Sequence, residues 1–140
     1  MNPCIFCDIL QGTVEASHVY RDNLVTAFMD IQPINPGHLL VIPNAHAANL
    51  ADLSPETGAH MFTVAQILAR AIRVSDLPCE GINLFLADGE AAMQEVFHVH
   101  LHVIPRCSGD GFGLTFSDRY YSMPARFELD AAAEYIRNVL

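Results

Sequence analysis

The chain has 140 residues, 51% of them hydrophobic, and its 16 acidic residues and 7 arginines, with no lysine, give a formal net charge of −9. This length suits one hydrophobic core, so we expect a single domain over residues 1–140. The acidic balance argues against a nucleic acid polymer or an anionic membrane as partner, while a few local donors could still hold a small phosphate-containing ligand. Because neither a bilayer-length apolar run nor a secretory signal is visible, we expect a cytoplasmic protein.

The N-terminal half opens with CIFCDIL, which predicts a short helix or turn. Apolar runs rich in β-branched or aromatic residues, bounded by turn signals, predict strands along the rest of the chain. The predicted strands are 19–22, 24–31, 37–43, 82–88 and 97–105. Because several short strands follow one another, we expect antiparallel pairing and an α+β fold.

Two helices complete the predicted elements. Ser54 is a helix N-cap and Pro55 suits the first helical position, so a helix should run from there to about Ser75. Helical spacing of the apolar side chains predicts a buried face for this main helix. That face comprises Ala59, Phe62, Ala65, Leu68 or Ala69, and Ile72. Near the end of the chain, Asp130 could cap a short closing helix through AAAEYIRNVL.

The most informative stretch is HVHLHVIPR at residues 98–106. On a strand, His98, His100 and His102 share one face, and the apolar residues between them face the other, towards the main helix. A half-exposed strand with polar residues outward would show this alternation, although other polar residues would serve equally well. Three chemical interpretations also fit: metal ligands, general acid–base groups, or a nucleophile flanked by supporting imidazoles. The central His100 is the natural nucleophile towards phosphorus.

At this point the sequence resembles the histidine triad (HIT) family, whose signature is H-x-H-x-H followed by two apolar residues. CIFCDIL, LVTAFMDIQPINPGHLLVIPNAH and ELDAAAEYIRNVL extend the resemblance over essentially the whole chain. The resemblance implies an α+β fold with a five-stranded antiparallel sheet, one main helix and a C-terminal helix. It also implies a homodimer that cleaves a nucleotide at the α-phosphate and releases a nucleoside monophosphate, usually with a purine base.

The resemblance assigns a role to four histidines. His100 matches the nucleophile, His102 the triad member that contacts the phosphate, and His98 the first triad member. His38 matches a fourth histidine that approaches the triad from a neighbouring strand. The mechanism implied is attack on phosphorus followed by hydrolysis of a nucleotidyl-histidine intermediate.

Three further positions match substrate-binding residues of the family. Asp30 matches the carboxylate that accepts from the ribose hydroxyls, and Ile31 helps to wall the base and sugar pocket. Gln94 matches a residue near the bridging oxygen or phosphate. From the residues alone, an aspartate before a turn more often caps that turn.

The loop before the triad departs from the family pattern at three positions. Ala87 replaces an asparagine that donates to phosphate, and Met93 replaces a glycine. Glu95 replaces a serine or threonine that contacts the leaving group, and its carboxylate should repel a phosphate unless it is protonated or paired. It could instead bind a cationic or amine leaving group, or face away. The nucleotide half of the substrate is therefore better supported than the leaving group. These departures keep open a nucleotide-binding regulatory protein with little or no turnover.

The N-terminal C-x-x-C suggests a metal site. A structural zinc usually takes four ligands. Members of the family with this N-terminus complete the site with two histidines, which here are His46 and His98 beside Cys4 and Cys7. The resemblance therefore implies a structural zinc that ties the N-terminus to the catalytic segment. A redox pair, unliganded cysteines, and a metal enzyme that uses the three triad histidines as ligands remain alternatives.

Overall fold

The computed structural model describes residues 3–140. They form two compact units, one ending at Asp110 and one spanning Gly111–Leu140. The helices and strands lie in the order α1 (Ile5–Gln11), β1 (His18–Arg21), β2 (Val25–Met29), β3 (Leu39–Pro43), α2 (Pro55–Val74), β4 (Gly81–Phe85), β5 (Leu101–Arg106) and α3 (Arg126–Arg137). Among the described residues, no helix is both long and apolar enough to span a bilayer. The expectation of one domain over 1–140 stays a prediction.

All five strands pair antiparallel in one sheet with the order β1-β2-β3-β5-β4. The predicted α+β class and the five-stranded antiparallel sheet are confirmed. The pairing of β3 with β5 places Leu40 opposite His102, so the third triad histidine lies near the middle of the sheet. Because β4 pairs only with β5 among the described strands, it forms one edge of the sheet.

The helix α2 covers one face of the sheet. Ser54 accepts from the Thr57 N–H and Pro55 begins the helix, as predicted. The buried face is rotated about the helix axis relative to the predicted one, because Met61 and Val64 are buried whereas Phe62 is 52% exposed. The predictions for Ala59 and Phe62 were wrong, because both are exposed. Helical spacing fits two adjacent apolar stripes, and packing against the sheet selects which one is buried.

The opposite face of the sheet receives the short helix α1. Phe6 and Ile9 from this helix pack with Phe28, Leu40 and Ile42 in a second apolar cluster. Since residues alternate along a strand, Leu40 lies on the α1 face and its neighbours Leu39 and Val41 lie on the α2 face. The α1 face is also the face of the triad histidines.

In the second unit, α3 begins before the predicted point. The Glu128 carboxylate accepts from the Ala125 N–H at 2.8 Å, so the helix starts at Arg126. Asp130 lies inside α3 and does not cap it, so that prediction was wrong. Glutamate three residues after an N-cap position is a competing start signal. In the same unit the rings of Phe116 and Tyr120 stack at 3.9 Å.

Candidate active site

The triad segment reaches β5 along a bent path. The strand predicted over 97–105 begins only at Leu101 and continues through Pro105 to Arg106. Before Leu101 the backbone leaves the ladder, because the Val99 N–H donates to the Ala47 carbonyl at 2.8 Å. Val99, Leu101 and Val103 nevertheless face α2, as predicted, and the three histidines face the other way.

The backbone fixes the proton positions on two triad histidines. His98 is fully buried, and its Nε2–H donates to the Pro43 carbonyl at 2.8 Å, so its Nδ1 carries the lone pair. His100 Nδ1–H donates to the His98 carbonyl at 2.8 Å, so its Nε2 carries the lone pair. His98 therefore presents Nδ1 as a ligand atom, and His100 presents Nε2 as a nucleophile.

The third triad histidine receives its proton arrangement from His38. The Ile34 N–H can only donate, so His38 Nδ1 accepts from it at 3.0 Å and His38 Nε2 carries the proton. That proton faces His102 Nδ1 at 2.9 Å, which leaves the remaining His102 proton on Nε2. The His100 and His102 rings lie 5.0 Å apart. His100 therefore presents a lone pair on Nε2, and the adjacent His102 presents an N–H donor.

Burial favours the neutral form of His38, His98 and His102. It lowers the pKa of His102 to about 4, with further lowering by His100 and His38 and a smaller opposing effect of Asp30. Burial also lowers the pKa of His38, against the opposing charge of Asp30. The pKa of His98 falls for the same reason despite its bond to Pro43. Near neutral pH these rings therefore donate or accept as uncharged groups.

Asp30 lies at the edge of this cluster. Its Oδ1 accepts from the Gln32 N–H at 2.8 Å, which is the turn-capping role expected from the residues alone. Its Oδ2 lies 3.6 Å from His38 Nε2. The neighbouring Ile31 side chain is 95% exposed and so is available to a ligand. The ribose and base roles of these two residues stay predictions.

The Gln94 side chain is occupied by the protein itself. The residue is 3% exposed, its Oε1 accepts from the Gly89 N–H, and its Nε2 donates to the Ala48 and Val96 carbonyls. The amide therefore holds the loop before the triad. Its contact with phosphate stays a prediction.

The three residues that depart from the family pattern have distinct surroundings. Ala87 is buried at 4% exposure. Met93 has φ 69° and is the one non-glycine residue with positive φ among residues 3–140. Glu95 lines a cavity of about 650 Å³ together with Cys4 and His46. A glutamate at this position therefore borders the cysteine cluster.

The structure brings together the four predicted metal ligands, whose donor atoms all lie within 4.8 Å of one another. The Sγ atoms of Cys4 and Cys7 lie 3.4 and 3.6 Å from His98 Nδ1. His46 Nδ1 lies 3.4 Å from Cys7 Sγ and 3.2 Å from His98 Nδ1. Tetrahedral zinc, with bonds of about 2.3 Å to sulfur and 2.0 Å to nitrogen, would space its ligand atoms about 3.3–3.8 Å apart.

The chemistry of this donor set also fits zinc. His98 offers a lone pair on Nδ1 because its other nitrogen donates to Pro43. Burial, the hydrogen bond and charge of Cys4, and the charge of Asp8 raise the pKa of Cys7 to about 11. A divalent cation between the sulfurs would remove this penalty on the thiolates. The four residues therefore suit a closed Cys₂His₂ site.

A second trio, Asp30, His38 and His102, also places its ligand atoms within 4.8 Å. His38 cannot bind a metal through Nε2 in this arrangement, because that nitrogen carries the proton while Nδ1 accepts from Ile34. His38 and His102 therefore form a hydrogen-bonded pair, and the Asp30 carboxylate lies nearby. The alternative of a metal held by the three triad histidines also loses support, since His102 Nδ1 accepts from His38 and His102 Nε2 carries the remaining proton.

Sequence reasoning missed the contribution of Phe6. Its ring lies edge-on to His98 at 5.8 Å and to His100 at 5.2 Å. The signal was present in the motif, since Phe6 lies between the two cysteines of CIFC. The partners Pro43 and Ile34 were also missed, because they act through backbone atoms that any residue would supply.

Comparison with known proteins gives a consistent result. The model of the HIT domain family matches residues 11–109. "Protein hit" of Bacillus subtilis is 43% identical over 121 residues, which cover 84% of this chain and 83% of that protein. Adenylylsulfatase HINT3 of Arabidopsis thaliana is 31% identical over 139 residues, which cover 99% of this chain and 70% of that protein.

Solved structures resemble this chain along nearly its full length. A HIT family protein from Bacillus anthracis has a TM-score of 0.88 and 40% identity, covering 99% of this chain and 98% of its own. A zinc-bound histidine triad family protein from Mycobacterium smegmatis has a TM-score of 0.76 and 40% identity, covering 98% and 97%. A histidine triad nucleotide-binding protein from Candida albicans has a TM-score of 0.85 and 28% identity, covering 97% and 96%.

Proposed function

Since this chain belongs to the HIT domain family, we propose that it is a hydrolase or transferase acting at the α-phosphate of a nucleoside 5′-phosphate derivative. One observation carries the proposal. His100 presents a lone pair on Nε2, and the adjacent His102 presents an N–H, on rings 5.0 Å apart. A nucleophile beside a neutral donor suits attack on phosphorus while a phosphate oxygen accepts a hydrogen bond.

The proton positions on His100 and His102 suggest the order of the reaction steps. His100 Nε2 attacks the α-phosphorus, the bond from phosphorus to the leaving group breaks, and the leaving group takes a proton from solvent. The His98 carbonyl accepts from Nδ1–H and stabilises the positive charge that develops on the His100 ring. His102 Nε2–H donates to a non-bridging oxygen. Water then hydrolyses the phosphorus–nitrogen bond and releases the nucleoside monophosphate. The water that hydrolyses the intermediate in this second step returns a proton to solvent.

The metal in this proposal is a structural zinc at Cys4, Cys7, His46 and His98. When bound, it would cross-link the start of α1 to the triad segment and orient the His98 ring. Support comes from the spacing of the four ligand atoms and from the zinc-bound relative.

The substrate test compares three adenosine compounds. Adenosine 5′-phosphoramidate and diadenosine tetraphosphate represent amide and anhydride leaving groups, and adenosine 5′-phosphosulfate follows from the name of the Arabidopsis relative. We expect release of adenosine monophosphate from at least one compound by the wild type, and its loss in His100→Ala. His60→Gln is the matched control, since His60 lies on α2 and bonds Asp22. Equal turnover in His100→Ala and the wild type would contradict the proposed nucleophile.

A regulatory nucleotide-binding protein is the second candidate. The observation that favours it is the Gln94 amide, which is satisfied by backbone groups instead of being free for phosphate. This candidate predicts that adenosine monophosphate binds while none of the three compounds is turned over. Rapid-quench mass spectrometry distinguishes the two, because only the enzyme forms a nucleotidyl adduct on His100.

We also propose a homodimer that forms through β4. This edge strand carries Leu84 and Phe85 at 38% and 37% exposure, and an unpaired apolar edge invites a second strand. A second copy would extend the sheet there. Light scattering should give a dimer for the wild type and a monomer for Leu84→Lys. A dimer in both would contradict the β4 interface.

A further inference from the structure

The cavity beside the cysteine cluster gives a small reagent access to Cys4. Cys4 and His46 line this space of about 650 Å³, and Glu95 and Phe97 border it. Cys4 and Cys7 are both partly exposed free thiols, and His46 is exposed. A structural zinc site has four protein ligands and no open coordination position. Here two of the ligands nevertheless line a cavity, so a small reagent can approach on the side of Cys4.

We propose that Cys4 and Cys7 form a redox-sensitive site, at which a hydroperoxide converts the metal-binding pair into a disulfide and disorganises the nucleophile. The proposal rests on the proposed zinc site and on the role of His100. It concerns the two sulfurs as a modification site and alters no step of the proposed hydrolytic mechanism.

The arrangement of the two cysteines permits the bond. Cys4 is the N-cap of α1 and Cys7 lies in its first turn, and the Cys7 N–H points at Cys4 Sγ from 3.4 Å. Their sulfurs lie within 4.8 Å of each other, and a disulfide sets sulfurs about 2.05 Å apart. Rotation of the two short side chains can close this gap.

The chemical steps balance with a hydroperoxide as the oxidant. The Cys4 thiolate attacks one peroxide oxygen, the O–O bond breaks, and hydroxide leaves to give a sulfenic acid. The Cys7 thiolate then attacks the Cys4 sulfur and expels a second hydroxide as the S–S bond forms. The two sulfurs together lose two electrons, which reduce the peroxide. Two of the four metal ligands are consumed, so the ion should leave.

The consequence reaches His100 by two short paths. Loss of the ion frees Nδ1 of His98, whose backbone carbonyl holds the His100 proton. Phe6 lies between the two cysteines in the chain, and its ring contacts both His98 and His100. Closing a disulfide around Phe6 should therefore shift the packing against the nucleophile, and small misplacements of a reacting group are costly.

The experiment uses the full chain with Cys79→Ala and Cys107→Ala, which keeps only the proposed pair. The zinc-loaded protein is treated with hydrogen peroxide while a metallochromic dye records released zinc and intact mass records the loss of two hydrogens. We expect zinc release in step with disulfide formation, altered ¹⁵N signals of the His100 ring, and a fall in turnover of about tenfold or more. Dithiothreitol with added zinc should restore all three. Wild type with disulfide mapping by peptide mass serves if the double variant does not fold.

The outcomes separate this proposal from the proposed function. Zinc retained at peroxide doses that oxidise a free thiol, zinc released without a disulfide, or an unchanged His100 ring would overturn the redox site while leaving hydrolysis intact. Failure of the reduced protein to bind zinc would also overturn it. If the reduced, zinc-loaded protein has no turnover, the proposed hydrolase fails, and the zinc, mass and ring measurements still decide the redox site.

Discussion

The strained residue in the loop before the triad allows a quantitative test. Met93 has φ 69° and ψ 30°, a left-handed conformation in which a side chain with a Cβ costs about 1–2 kcal/mol. Its side chain is 72% exposed, so it recovers little of that cost through burial. Glycine removes the strain, and Met93→Gly should therefore stabilise the fold.

The change in the free energy of unfolding is a difference of two effects. Relief of strain in the folded state raises it by about 1–2 kcal/mol, and the extra freedom of glycine in the unfolded chain lowers it by about 0.4–1 kcal/mol. We expect the free energy of unfolding to rise by about 0.5–1 kcal/mol, which for a domain of this size raises Tm by about 2–3 °C.

Urea denaturation and thermal melting measure this change. Met93→Ala is the matched control, because it shortens the side chain but keeps the Cβ, and it should give no gain. Gly89→Ala should lower the free energy of unfolding. Gly89 has φ +93° and a Cβ there would contact nothing, so it would add backbone strain without packing. A destabilised Met93→Gly would refute the reasoning and show that the side chain makes contacts worth more than the strain.

Three further outcomes are expected. The free energy of unfolding should fall as pH drops from about 6.5 towards 4, because His102, whose folded pKa is about 4, takes up its proton mainly when unfolded; His102→Gln should flatten this slope in urea titrations. Burial raises the pKa of Asp22, but hydrogen bonds led by the one from His60 hold it well below its ordinary value. His60→Ala should therefore raise the pKa of Asp22 and lower the free energy of unfolding by about 0.5–1 kcal/mol. Carboxyl NMR and thermal melting measure these changes, with Phe62→Ala as the control. Chelation of zinc at neutral pH should lower Tm in the wild type and leave Cys7→Ser unchanged.

Local sequence signals predicted most of the fold. The apolar runs VTAFM and LLVIP, bounded by turn signals, identified strands, and Ser54 with Pro55 fixed the start of α2, because these signals act within a few residues. The buried stripe of α2 and the start of α3 were misjudged. In α2 two apolar stripes compete and the sheet selects one, and in α3 Glu128 outcompetes Asp130 as the start signal.

The candidate site divides in the same way. The resemblance named the triad and the four proposed zinc ligands, and the structure places the ligand atoms of those four residues within 4.8 Å of one another. The proton positions could not be read from the sequence, because they depend on the carbonyls of Pro43 and His98 and the amide of Ile34. Any residue type supplies these backbone groups, so the sequence does not show which of them will be hydrogen-bond partners.

This dependence on main-chain atoms makes the proton pattern robust to mutation. Replacing the side chain at position 43 or 34 leaves a carbonyl or an amide in the same place, so ordinary point changes cannot reverse which nitrogen of an imidazole is protonated. Ile34→Pro is the exception, because proline lacks the N–H that His38 accepts from. Random mutation should therefore disable this chemistry by replacing or displacing histidines, and almost never by reversing their tautomers.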